Sequence, residues 1–268
     1  MWTISNMAWR IGEILAIEEQ IEWTARGAFG GVSFHAHAGE PGSWQGVDPA
    51  AWDARRRARL RERIAGFKMC EIHAPFGARL QSASLPAVVN DLMPVLDLAR
   101  DVGASIVTVH AGLPASDADE KAYAWREWMN RLSAKAAECG VVIGLELVSG
   151  FELVRKWRLP NIGVTLDVGH MYVIDAGAPL KPFGSIGQAV RSIGDNLVHL
   201  HVHDVDGMVD HNEIGTGCVD FDDLLKALKE IGYRGALCLE MHPDRVTPEG
   251  MVRSRKWLEE RAHVLGLA

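Results

Sequence analysis

The stretch Gly163-Val-Thr-Leu-Asp-Val-Gly-His170 starts as a short apolar, β-branched run, stops at a carboxylate and turns through glycine. Val, Thr and Leu suit an extended, packed backbone, so the run predicts a buried strand, and Asp167 marks where it leaves the core. The same order recurs along the chain. Strand-like runs fall at 3–8, 31–35, 69–73, 106–110, 141–147, 163–167, 197–203 and 236–241. Amphipathic stretches follow them at 13–25, 49–65, 85–101, 117–139, 151–157, 185–195, 221–231 and 248–265. Strands that alternate with helices pair in parallel, because a parallel neighbour is reached only through a crossover. Eight units of roughly 33 residues each predict an α/β chain closed as a single (β/α)8 TIM barrel, with one domain over 1–268. A doubly wound open sheet is the alternative. Glycines at Gly103, Gly140 and Gly232 follow helix-like stretches and predict helix ends.

Composition narrows the function. The chain has 268 residues, 48% of them hydrophobic and 24% charged, enough for one large core. Lys and Arg number 28 against 35 Asp and Glu, a net charge of −7, which argues against a polyanion as the main ligand. Six arginines between Arg55 and Arg63 share one helix-like stretch and predict a solvated face. No apolar run reaches the ~18 residues of a membrane span, and Arg10, Glu13, Glu18 and Glu19 interrupt any signal-peptide core. The cysteines, Cys70, Cys139, Cys218 and Cys238, form no CxxC pair. A disulfide framework is not expected and the expected location is cytoplasmic, with Cys70 and Cys238 as buried packing residues.

The ionisable residues are placed unevenly. His73, His110, Glu146, Asp167, His201 and Glu240 each end a strand-like run, and turn residues follow closely. In a (β/α)8 barrel those ends converge on one mouth, where active sites sit. Alone, each would pass for a hydrogen-bonded or solvated residue. Three carboxylates and three imidazoles from six different strands instead form the donor set of a divalent metal, and a cation removes the repulsion among the carboxylates. Asp167 and His170 both face the mouth if Gly169 makes a tight turn. Alternation places His199, His201 and His203 on one strand face, with Asp204 as a candidate to hold one ring. His211 reads equally as a ligand or a surface-loop residue.

With these residues in view, the chain resembles the xylose-isomerase-like barrel superfamily, which includes sugar isomerases and epimerases and the endonuclease IV-type proteins. The pieces that carry the resemblance are Glu71-Ile-His-Ala-Pro-Phe76, Thr108-Val-His-Ala-Gly112, Gly144-Leu-Glu146, Thr165-Leu-Asp-Val-Gly-His170, His201-Val-His-Asp204, His211-Asn-Glu-Ile-Gly-Thr-Gly217 and Leu239-Glu240. The resemblance implies a metal site at Glu146, Asp167, His201 and Glu240 holding one divalent ion, typically Mn2+, with Mg2+, Co2+ or Zn2+ as alternatives. Similarity to the ketose 3-epimerases implies that Glu152 and His170 contact substrate, and His211 stands where those enzymes have an arginine. The endonuclease IV-type pattern implies a metal cluster on His73, His110, Glu146, Asp167, His170, His201, His211 and Glu240. Its aspartate two residues before the His211 position is replaced here by Val209, with Asp210 one place off.

The expected function is a divalent-metal-dependent sugar isomerase or epimerase acting on a small keto-sugar or polyol ketone. Glu146 and Glu240 are the expected proton carriers at the α-carbon, and Glu152, His170, His211, His73 and His110 the expected substrate-binding residues, with His73 and His110 alternatively holding a second ion. Three other readings stand beside it: a lyase or dehydratase using the same enediolate, an abasic-site nuclease, and a non-catalytic binding barrel. The acidic loop with Asp204, Asp206, Asp210 and Glu213 ranks the nuclease lower. A phosphorylated substrate is not expected, Gly215-Thr-Gly217 being a weak cradle. Trp9, His35, His37, Trp44 and Phe76 are specificity candidates, the aromatic ones either stacking on a sugar face or packing internally. The expected partner is a small carbohydrate, with no nucleic acid and no membrane, and the expected assembly is a homodimer or homotetramer.

Overall fold

The structure, a computed structural model, describes residues 2–81 and 84–267. Eight parallel strands close into a barrel: β1 (Thr3–Met7), β2 (Gly31–His35), β3 (Met69–His73), β4 (Ile106–His110), β5 (Val142–Glu146), β6 (Ile162–Asp167), β7 (Leu197–Val202) and β8 (Ala236–Leu239). Each pairs with the next, and β1 pairs with both β2 and β8, so the sheet has no free edge. Among the described residues, eight helices of seven or more residues pack outside it: α1 (Ile17–Arg26), α2 (Ala54–Ile64), α3 (Leu85–Val102), α4 (Glu120–Cys139), α5 (Phe151–Trp157), α6 (Ile186–Ile193), α7 (Phe221–Glu230) and α8 (Pro248–Val264). The expected single (β/α)8 barrel is the fold, and the open-sheet alternative is excluded by the closed strand order.

Local chemistry accounts for the helix boundaries. Asp53, Ser185, Asp220 and Thr247 each accept a hydrogen bond from a backbone N–H of the first turn of α2, α6, α7 and α8. Gly103 and Gly140 close α3 and α4 with φ of 83° and 69°, a region that a Cβ disfavours. The helix expected from residue 13 starts only at Ile17. Ile11 and Ile14 instead exchange backbone hydrogen bonds of 3.2 and 2.9 Å, which ties residues 11–14 into a tight turn. Of the α2 arginines, Arg56, Arg57 and Arg63 pair with Glu18, Asp101 and Glu22, and Arg55, Arg59 and Arg61 are exposed. No helix among the described residues is long and apolar enough to cross a membrane.

Strand alternation sorts the barrel interior into layers. Helix-facing positions such as Val32, Ile72, Val107, Val109 and Leu200 are fully apolar and buried. The opposite face is polar. Its lower layer holds Ser33, Glu71, Thr108, Thr165, His199 and Cys238, joined by contacts such as Thr108 Oγ1 to Thr165 Oγ1 at 3.1 Å and Cys238 Sγ to Ser33 Oγ at 3.2 Å. The next layer, one step towards the C-terminal mouth, holds His35, His73, His110, Glu146, Asp167, His201 and Glu240. Gly144 belongs to the lower layer because nothing larger fits: a Cβ there would lie 2.0 Å from Thr165 Oγ1. Gly144→Ala is therefore expected to cost about 1–3 kcal/mol through overpacking, read as a lowered thermal midpoint. An unchanged midpoint would mean that the interior has slack at this level.

Candidate functional site

Glu146 is the hub of the mouth. Its Oε2 lies 3.2 Å from His73 Nε2, 3.4 Å from His110 Nε2 and 3.8 Å from His201 Nδ1, and its Oε1 lies 3.1 Å from His170 Nδ1. Burial opposes its ionisation, but His110, His170 and His73 outweigh burial and hold it well below the usual carboxylate range. The same contest keeps the buried Glu240 carboxyl low, with His201 as the main favourable neighbour. Asp167 is fully buried and accepts from the His170 backbone N–H at 2.8 Å and from His203 Nε2 at 3.0 Å. His170 Nδ1 stands 3.7 Å from Asp167 Oδ2 as well, and despite burial these two carboxylates push its pKa up to about 10.

His201 and His203 face the same way yet differ in kind. His203 accepts the His211 backbone N–H on Nδ1 at 2.8 Å, so its Nε2 carries the proton and donates it to Asp167. Both nitrogens are satisfied in the neutral ring. His201 donates from Nε2 to Glu71 Oε1 at 2.8 Å, so in a neutral ring the bare Nδ1 stands 2.9 Å from Glu240 Oε2. That Nδ1 is buried and makes no hydrogen bond. Lone pair against lone pair is repulsive unless a proton or a cation lies between them. Burial works against a proton, while Glu240 and Glu71 raise the ring's pKa well above its usual value. A divalent cation meets the same demand and suits the mixed oxygen and nitrogen donors. The residues expected as metal ligands are thus linked: Glu240 and Glu146 border His201 Nδ1, and Glu146 and Asp167 border His170.

Other donors converge beside them. His73, His201 and Glu240 form one set with donor atoms within 4.8 Å of one another, and His73, His110 and Glu146, and His170, Asp210 and His211, form two more. His73 Nδ1 donates to the Ala74 carbonyl at 2.6 Å, so its Nε2 lone pair also points at Glu146. His211 adopts φ of 55°, stacks on His203 at 4.0 Å between ring centroids and lies 2.9 Å from Asp210. Val209 is exposed, while Asp210, the neighbour one place off, turns inward towards His170 and His211. Glu152 is exposed on the first turn of α5.

Two local expectations need correction. The tight turn expected at Gly169 is present, but with φ of −70° its backbone does not require glycine; a Cβ there would lie 2.0 Å from His203 Cε1, and it is the ring's approach that excludes a side chain. Asp204 holds no imidazole ring. Its oxygens accept backbone N–H groups of Val205, Gly215, Gly217 and Val219 at 2.9–3.1 Å, pinning the 213–219 loop. The Gly215 and Gly217 amides are thereby used, which removes them as a phosphate cradle.

Glu71 opens one of the pieces that carry the resemblance, and its sequence context assigns it no role. It sits one layer below the mouth, fully buried, and accepts from His199 Nε2 and His201 Nε2, each at 2.8 Å. Burial is outweighed by these two rings, so its carboxyl stays well below the usual range. The spacing to His73 was its signal, since residues two apart on a strand share a face. A cleft of about 450 Å3 elsewhere, between α1 and α8, is lined by Trp23, Arg26, Pro248 and Arg253 among others and carries no buried carboxylate–imidazole set.

A closed parallel barrel with carboxylates and imidazoles gathered at its C-terminal mouth defines the class. Within that class the chain belongs to the xylose isomerase-like TIM barrel family, whose profile matches residues 21–261. It is 27% identical over 225 residues to an uncharacterized protein of Methanocaldococcus jannaschii, covering 72% of this chain and 70% of that protein. It is 31% identical over 124 residues to the L-ribulose 3-epimerase of Methylomonas sp., covering 42% of this chain and 39% of that enzyme, so the match spans less than half of the epimerase. Among solved structures, the xylose isomerase domain protein from Planctomyces limnophilus superposes with a TM-score of 0.75 at 18% identity, over 100% of this chain and 99% of that one. The AP endonuclease, family 2, from Brucella melitensis does so at 0.71 and 19% identity, over 96% and 99%. These structural likenesses establish the shared fold.

The role of Glu71 is testable apart from any activity. Orienting a ligating imidazole through its other nitrogen typically matters ~10–100-fold in metal affinity. Glu71→Gln is expected to weaken Mn2+ binding by that factor in calorimetry, with the folded state checked by circular dichroism. Equal affinity in a folded variant would show that Glu71 does not set the His201 tautomer.

Proposed function

We propose that this protein is a divalent-metal-dependent sugar isomerase or epimerase acting on a small keto-sugar or polyol ketone. The observation that carries the reading is the buried His201 Nδ1, 2.9 Å from Glu240 and 3.8 Å from Glu146, at the mouth of a barrel whose relatives include ketose 3-epimerases. The ion would be held by Glu146, Asp167, His201 and Glu240, with Mn2+ the first candidate. When bound, it supplies polarisation of a substrate carbonyl and a lowered pKa for the neighbouring hydroxyl. Of the buried Glu146 and Glu240, one, ionised, would take the proton from the α-carbon, and the other, carrying a proton received from a neighbouring imidazolium, would return one to it. Near-complete burial keeps bulk water from competing. His170, His211, His73 and His110 offer hydrogen bonds to substrate hydroxyls, and Glu152 does so from the start of α5. His73 and His110 also suit a second ion beside Glu146.

A nuclease is the second reading, favoured by the match to an AP endonuclease family 2 structure and by the Asp210 carboxylate that reaches His170 and His211. Charge weighs against it. Arg10 and Arg245, at this end of the barrel, are already paired with Asp244 and Asp210, whereas binding a duplex calls for unpaired cations near its phosphates.

One set of assays separates these readings. With Mn2+ in D2O, the protein is expected to exchange the α-proton of one or more of D-psicose, L-ribulose and D-tagatose, followed by NMR. Glu146→Gln and Glu240→Gln are each expected to lower that rate ~10²–10⁴-fold, with metal content measured alongside. Loss of the hydroxyl as water, or carbon–carbon cleavage, would make it a lyase. Incision of abasic duplex DNA that depends on Glu240, without ketose exchange, would replace the epimerase reading with the nuclease.

A further inference from the structure

His199 enters neither the proposed ligand set nor the proposed chemistry, yet it lies inside the barrel at 1% exposure. It stands on β7 two residues before His201, so the two rings share a strand face, with centroids 5.4 Å apart and planes at 87°. His199 Nε2 lies 2.8 Å from Glu71 Oε2, and His201 Nε2 lies 2.8 Å from Glu71 Oε1. Glu71 comes from β3, four strands from β7 whichever way round the closed sheet is followed. One carboxylate thus crosses the barrel and gives one oxygen to each ring.

Burial fixes the direction of the His199 bond. Its Nδ1 is buried and has no hydrogen-bond partner. A proton on that nitrogen would be an enclosed N–H with nothing to accept it, and Nε2 would then set a lone pair against the carboxylate. The neutral ring that avoids both faults keeps its proton on Nε2 and donates it to Glu71. A carboxylate held at one oxygen still turns, because the last torsion of a glutamate side chain is broad. Held at both oxygens, its plane is set, and so is the line along which His201 donates. That line decides where the other nitrogen of His201 faces: 2.9 Å from Glu240 Oε2 and 3.8 Å from Glu146 Oε2. Glu71, His199 and Cys238 also bring one donor atom each within 4.8 Å of one another. Both Glu71 oxygens and His199 Nε2 are engaged in the two hydrogen bonds, and Cys238 Sγ donates to Ser33 Oγ at 3.2 Å, so hydrogen bonding accounts for the group without an ion.

We propose that His199 is a positioning residue: by anchoring the second oxygen of Glu71 from across the barrel, it holds that carboxylate, and through it His201, in the arrangement that turns Nδ1 towards Glu240 and Glu146. The inference rests on the metal-binding part of the proposed function. It extends the control of His201 to a side chain one layer below the mouth.

The test is a double-mutant cycle on the full-length protein, read as Mn2+ affinity and stoichiometry in calorimetry, with circular dichroism reporting the fold. His199→Asn places an amide where Nδ1 stood and none where Nε2 stood, and is expected to weaken Mn2+ binding about tenfold. His199→Gln, whose longer side chain returns a donor to the Nε2 place, should recover most of that loss. His199→Leu, a second variant without a donor, carries the same expectation as the Asn variant should the latter not fold. In a Glu71→Gln background the donorless variant is expected to cost nothing further, because the residue it acts through is already altered. An equal loss in both backgrounds would reduce His199 to a packing residue and overturn the proposal, as would unaltered affinity in a folded donorless variant. A stoichiometry that falls by one ion would make His199 a ligand, with Glu71 and Cys238, and overturn it as well. A wild type that binds no Mn2+ would overturn the metal reading itself, and the role of His199 with it.

Discussion

The Glu146 carboxylate lies within 3.8 Å of ring nitrogens from His73, His110, His170 and His201, and the hydrogen bonds these rings make elsewhere leave no neutral arrangement that satisfies them all. His73 gives its Nδ1 proton to a backbone carbonyl and His201 gives its Nε2 proton to Glu71, so in the neutral ring each leaves its other nitrogen bare beside a carboxylate. Four carboxylates, Glu71, Glu146, Asp167 and Glu240, are buried in this one region. Their charge needs positive partners at short range. Protons on the imidazoles supply some; a divalent cation of the kind proposed would supply it at one point.

The barrel makes such a concentration tolerable. Each functional side chain comes from the end of a different strand, and the closed ladder fixes the strands relative to one another: Asp167 stands beside His201 in register, and His110 beside Glu146. Below the mouth, the contacts of Glu71 with His199 and His201 and of Thr108 with Thr165 form a hydrogen-bonded floor. Above it, Asp204 gathers four backbone amides and holds the 213–219 loop that follows His211. The polar groups that face neither water nor a partner are then few. His201 Nδ1 and the two nitrogens of His35 stand out among them, one beside the carboxylates and the others among aromatic rings.

Much of this arrangement was legible in the order of residues. Strand-like runs ending in His73, His110, Glu146 and Asp167 announced both the barrel and the place where its chemistry gathers, because alternation and closure are consequences of backbone geometry. The choice between His201 and His203 was not legible from spacing, since both lie on one face. It turns on a backbone amide, that of His211, which reaches His203 and not His201. Asp204 was misread for a similar reason: its partners lie 11–15 residues on, in a loop with no periodic signal. Gly169 read as a turn residue because glycine usually is one, and only the position of the His203 ring reveals its packing role. Glu71 was within reach of the alternation argument, but a carboxylate inside an apolar run gives no sign of the two imidazoles that meet it from β7.

The central claim is that a divalent ion resolves the opposed lone pairs around His201. Diffraction from crystals soaked in Mn2+, with data collected to record manganese anomalous scattering, tests it directly. The account predicts a peak ~2.0–2.3 Å from His201 Nδ1 and from oxygens of Glu146, Asp167 and Glu240, with His201 Nε2 still bonded to Glu71. A mouth without an anomalous peak, with His201 protonated and bonded to Glu240, would contradict it.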